Sequence, residues 1–224
     1  MDFMKWLNSL DELLFEVMSW LVFFPVTLWD TLLHPVAMVR YADEELARVD
    51  GPQFAKAISP PLFLALTMAL SSALAAALGE PDAVVKSQHG LAALIADDKA
   101  ALVMRVLLFA LFPLLMSVIF IHAAKLPLER MTLRRVFYGQ CYAGAAFALL
   151  LGLGATLIQL PAAGNAARVA GAIMMVAATG NYLIVQTRCF RAELPCGGLQ
   201  ALGMSLTGLL VGAMILFCVG LLLI

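Results

Sequence analysis

The chain has 224 residues, 63% of them hydrophobic and 13% charged, with a mean hydropathy of +0.95 and a formal net charge of −1. A soluble globular domain carries about 25% charged residues, so the composition excludes an ordinary soluble domain, and no nucleic-acid partner is expected. It predicts an all-α, polytopic membrane helical bundle whose apolar stretches reach the roughly 20 residues that cross a bilayer.

Residues 1–57 read as a cytoplasmic or interfacial segment holding nine of the fifteen acidic residues. No cleavable leader is expected, because acids interrupt the apolar run of MDFMKWLNSLDELLFE and no small-residue cleavage site follows. Phe3, Trp6, Leu7, Leu10, Leu13, Leu14, Val17, Trp20, Leu21 and Phe24 recur at three- and four-residue steps. Asp2, Asp11, Glu12 and Glu16 lie mainly off that stripe. The periodicity predicts an N-terminal amphipathic helix in the membrane interface, ending near Pro25. The competing reading is a span over residues 13–29, short, with Glu16 near its start and Pro25 inside. Lipid-binding helices carry basic faces, so these acids are either solvated or free to face a protein. His34-Pro35 then breaks the chain, VAMVRYADEELARV reads as a short amphipathic helix, and Gly51-Pro52 stops it.

Five apolar segments make up a transmembrane domain over residues 58–224: 58–78, 101–124, 136–158, 166–187 and 201–224. Basic residues orient them. With the N-terminus inside, Lys5, Arg40, Arg48, Lys56, Lys125, Arg130, Arg134, Arg135, Arg188 and Arg191 fall on the cytoplasmic side. Lys86, Lys99, Arg105 and Arg168 fall opposite, with the C-terminus.

Chemistry within the spans is sparse. None carries an acid, whereas intramembrane enzymes and proton-coupled carriers normally place ionisable residues there. His34 and His89 fall on opposite sides, and His122 reads as an interfacial residue rather than a ligand. Cys141, Cys189, Cys196 and Cys218 are irregularly spaced, and a Cys189–Cys196 bridge is not expected in the reducing cytoplasm. No catalytic residue, metal site or cofactor is therefore expected. Ser117, Asn181 and Gln186 define an alternative polar path, with Asn181 its strongest member, against a favoured reading as packing glue between helices. Gly144/Ala148/Gly152, Ala73/Ala77 and Gly208/Gly212 form small-x-x-x-small faces that suit close helix packing and self-association. The fourth segment, rich in small residues, reads as central. In KLPLERMTLRRVFYGQCYAG (125–144) nothing is placed to activate Cys141. The stretch reads as a basic cytoplasmic anchor with Tyr138 and Tyr142 in the interface belt.

An N-terminal cytoplasmic segment, five close-set spans and a short exterior C-terminus resemble the Yip family of Rab-interacting membrane proteins and their bacterial relatives. The resembling segments are PVTLWDTLLHP (25–35), the stretch into SPPLFLALTMALSSAL (59–74), and LRRVFYGQCYAGAAFALL (133–150). The D-L-Y-G-P-like element of eukaryotic members is absent, with only DGPQF at 50–54 near it, so the resemblance does not extend to GTPase binding. It implies a non-enzymatic protein of the bacterial inner membrane, a scaffold or accessory subunit in membrane organisation, trafficking or transport. The expected partner surfaces are the N-terminal helix and the 125–135 loop, with Glu12 and Glu16 meeting Arg130, Arg134 or Arg135 in cis or across a subunit interface. The alternative is a transporter or lipid-translocating component using the Ser117, Asn181 and Gln186 path.

Overall fold

A computed structural model describes residues 2–49, 51, 53–78, 98–160 and 164–223. Lys86, His89 and Pro52 lie outside them, as do the side chains of Asp2, Phe3, Lys5, Trp6, Leu7 and Lys99. The described residues form seven helices and no strand: α1 (Asp2–Leu33), α2 (Pro35–Ala47), α3 (Pro60–Ala77), α4 (Asp98–Ala123), α5 (Arg130–Gln159), α6 (Asn165–Glu193) and α7 (Gly198–Leu223). The protein is a helical membrane bundle, and each of the five expected apolar segments lies on its own helix.

The N-terminal helix differs from expectation. It does not end near Pro25 but continues through it to Leu33 as one helix. Proline removes one backbone hydrogen bond and can kink a helix without ending it. Thr27 and Thr31 add bonds of their own, donating to the carbonyls of Phe23 and Thr27, each at 2.6 Å. Ser9–Leu33 is long and apolar enough to cross a membrane, which makes six helices with that capacity among the described residues rather than five.

The centre of the bundle is α5, not the fourth apolar segment. Helices α2, α3, α4 and α6 all pack on it, and its residues 139–149 are buried without a break. Small side chains alone do not make a helix central. Those of α6 are divided between faces: Gly171 and Ala178 are buried, whereas Ala166, Ala170 and Ala177 are exposed. A Cβ on Gly144 would stand 2.6 Å from the Pro113 ring of α4, and one on Gly212 would stand 2.6 Å from the ring of Phe112. Those glycine faces are contact surfaces, as the spacing predicts. Ala73 and Ala77 instead point outward.

The link into α3 is held from two directions. The Ile58 N–H donates to Thr27 Oγ1 of α1 at 3.2 Å, and the Ile58 carbonyl accepts from the Tyr142 hydroxyl of α5 at 2.7 Å. Tyr142 is thus fully buried rather than in an interface belt, its ring 5.8 Å from that of Phe63. Tyr142→Phe would leave a buried carbonyl unmatched, which costs about 1–3 kcal/mol. The expected result is a lower unfolding midpoint in detergent with unchanged helix content. A midpoint equal to that of the unaltered protein would show that the bond contributes nothing.

Candidate functional site

The charged residues that α2, α5 and α6 contribute at one end of the bundle meet across long sequence gaps. Arg135, in the first turns of α5, donates through Nε and Nη2 to both carboxylate oxygens of Asp43 on α2. This fork-to-carboxylate geometry suits arginine. Arg40 of α2 stands 3.6 Å from Glu193 at the end of α6. Two ion pairs therefore tie α2 across the ends of α5 and α6. Helix α4 closes just below: Lys125 adopts φ 55°, and the Leu126 N–H bonds back to the Ile121 carbonyl at 3.1 Å. That left-handed turn sends the chain over to α5.

These elements enclose an open groove of about 960 Å³. Its charged lining is balanced: Arg40, Arg134 and Arg135 against Asp43, Glu44 and Glu193. Phe120, Leu126, Met131 and Val136 supply an apolar wall, and Gln140 and Cys189 line it deeper in. Gln140 is buried and accepts a 2.6 Å hydrogen bond from Gln186 Nε2 across the α5–α6 contact. The outer oxygen of Gln186 is buried without a hydrogen-bond partner, as is the Tyr182 hydroxyl one turn away on α6. The buried hydroxyls behave otherwise: Ser117, Thr67 and Ser205 each donate to a carbonyl four residues back on their own helix.

A buried carboxylate builds one edge. Glu45 pairs with Arg48 at 3.0 Å and accepts the Phe54 N–H at 2.8 Å. Phe54 sits at φ 59°, a left-handed conformation that side chains disfavour, with its ring 6.2 Å from Tyr41 and 6.1 Å from Tyr138. Burial, and then the nearby Glu45 charge, push the Tyr41 hydroxyl above its ordinary range. Glu45 is thus a structural clamp for the 53–57 turn, which brings Gln53 to the groove.

The residues singled out in the sequence separate. Arg134 and Arg135 line the groove, Arg134 with its guanidinium 5.2 Å over the Tyr138 ring; Arg130 lines a smaller neighbouring hollow. Glu12 and Glu16 do not meet any of them within the chain. At about 1.5 Å per residue, they stand roughly 25–32 Å back along α1 from Leu33, next to α2. Glu16 instead takes a local contact from Trp20 at 3.5 Å. The set of Ser117, Asn181 and Gln186 is not one path: Ser117 is bonded to Pro113, Gln186 to Gln140, and Asn181 faces outward. Arg40, Asp43, Glu44, Gln140 and Glu193 escaped the sequence reading. Gln140 carried the one usable signal, a long amide just inside a predicted span.

All four cysteines are free thiols, and no cluster of three metal-ligating side chains occurs among the described residues. Fold and site together define a multi-pass helical membrane protein with a charged groove at one end. Comparison with protein-family models, with characterised proteins and with solved structures finds no match.

Proposed function

We propose that the chain is a non-enzymatic scaffold or accessory subunit of a membrane complex, Yip-like in arrangement and resident in the bacterial inner membrane. The observation that carries this reading is the exposure of the first half of α1, where residues 9–18 are all exposed. Only 6% of its apolar window is buried against the rest of the protein, and Leu13, Phe15, Met18, Leu21 and Trp29 are exposed along it. Lipid tails can cover those side chains, but they offer nothing to the neighbouring Asp11, Glu12 and Glu16. A protein partner with basic or hydrogen-bonding groups does. The groove end carries Arg40, Arg48, Arg134, Arg135 and Arg191, which favours the cytoplasm for that end. A crossing α1 puts the acids on the opposite side; an interfacial α1 keeps them in the cytoplasm.

Photo-crosslinking from Phe15 and Met18 in native membranes tests the reading. A discrete protein adduct that disappears in Glu12→Lys/Glu16→Lys is expected. Lipid adducts alone, at both positions, would sink it.

A second reading, a lipid-translocating component, is favoured by one feature: the Gln140–Gln186 pair continues the groove's polarity inward. Gln186→Leu would then reduce lipid exchange between the leaflets of proteoliposomes, and an unchanged rate would remove this reading.

A further inference from the structure

We infer that the groove between α2, α5 and the end of α6 binds the head of a zwitterionic phospholipid bearing a primary amine. This goes beyond the scaffold reading and does not depend on it.

The charge pattern selects the ligand class. Three cations and three acids share the lining, so an anion meets as much repulsion as attraction. Two of the pairs are already closed, Arg135 on Asp43 and Arg40 on Glu193. Arg134 and Glu44 have no ion-pair partner among the described residues, and both line the groove. A guanidinium held over Tyr138 and an exposed carboxylate, neither in an ion pair, complement a ligand with separated opposite charges: a phosphate for Arg134 and an ammonium for Glu44.

The wall selects a lipid over a free zwitterion. Leu126 and Met131 line the groove and are exposed at its mouth, beside exposed Leu128. They lie at the basic end of the bundle, where headgroups sit. A soluble zwitterion would leave this apolar edge in water, whereas a glycerol backbone and its first acyl carbons cover it.

The Glu44 carboxylate selects the amine. A primary ammonium offers three N–H donors, and a trimethylammonium offers none. Glu44 lines the groove and is exposed there. A charge-assisted N–H···O bond to it is therefore open to the primary amine and closed to the methylated headgroup.

The full-length chain, purified in mild detergent, is offered equal amounts of dioleoyl phosphatidylethanolamine, phosphatidylcholine and phosphatidylglycerol, and retained lipid is read by native mass spectrometry. Phosphatidylethanolamine should be retained about tenfold over the other two, the worth of one charge-assisted hydrogen bond. Glu44→Gln should bring it down to the phosphatidylcholine level. Arg134→Gln should lower retention of all three. Both residues are exposed, so these variants keep the fold, which circular dichroism checks. Equal retention of the three lipids, preference for phosphatidylglycerol, or an unchanged ratio in Glu44→Gln would overturn the inference. None of these results bears on protein crosslinks from α1, so the two readings fail separately.

Discussion

Gly171→Ala should lower the unfolding midpoint of the purified protein more than alanine at Gly180 or Gly203. A Cβ on Gly171 would stand 2.6 Å from the carbonyl oxygen of Gly154, with Ile158 Cγ1 at 2.9 Å and Leu157 Cβ at 3.0 Å. The first of these is backbone on the central helix and cannot rotate away. The contact is mutual, since a Cβ on Gly154 would meet the Gly171 oxygen at 2.9 Å. Relief requires α5 and α6 to separate along their shared face, and overpacking of this kind costs about 1–3 kcal/mol. At Gly180 and Gly203 an added Cβ meets nothing within 4 Å, so alanine there should unfold with the unaltered protein. Equal midpoints for all three variants would show that α5 and α6 do not approach so closely.

Glu45→Ala should release the turn at residues 53–57. Glu45 is buried, and among the described residues its partners are Arg48 and the Phe54 N–H. A hydrogen bond to a charged group contributes about 1.5–3 kcal/mol, and here it also holds Phe54 in a left-handed conformation. Without the carboxylate, that conformation keeps the ring contacts with Tyr41 and Tyr138 and the 3.4 Å bond from the Ala57 N–H to the Phe54 carbonyl. Amide exchange at Phe54 should accelerate about ten- to a hundredfold, the same free energy expressed as a rate. Protease should cut the turn first. Glu45→Gln keeps the shape and an acceptor oxygen, and should fall between. Unaltered exchange in Glu45→Ala would mean that packing alone holds the turn.

What the sequence disclosed followed from how local each feature is. Apolar length reports a span directly, so the five segments from 58 onward each found a helix. The faces of Gly144 and Gly212 were legible because a four-residue step is a helix-surface property. Ala73 and Ala77 have the same step but no neighbour, and a stripe cannot say whether a partner lies opposite it. The end of α1 was misplaced because a proline can kink a helix without ending it, and the Ile58 contact that holds Thr27 beyond it lies 31 positions away. Tyr142 carries the signature of a belt residue, a tyrosine near a basic loop. Its burial depends on a carbonyl 84 positions away, which no window contains. The same applies to Asp43 and Arg135, 92 positions apart. Arg134 and Arg135 could be named in advance as basic, but not the acids that complete the groove around them.

The placement of the hub so late in the chain has a consequence for how the protein is made. Helices α1 to α4 leave the ribosome before α5, yet α2, α3 and α4 take their main packing surface from α5. The Ile58 carbonyl at the head of α3 lacks its Tyr142 donor until synthesis has passed residue 142. The early helices therefore wait in the bilayer, or beside the insertion machinery, as loosely associated rods. The arrival of a single later helix gathers them.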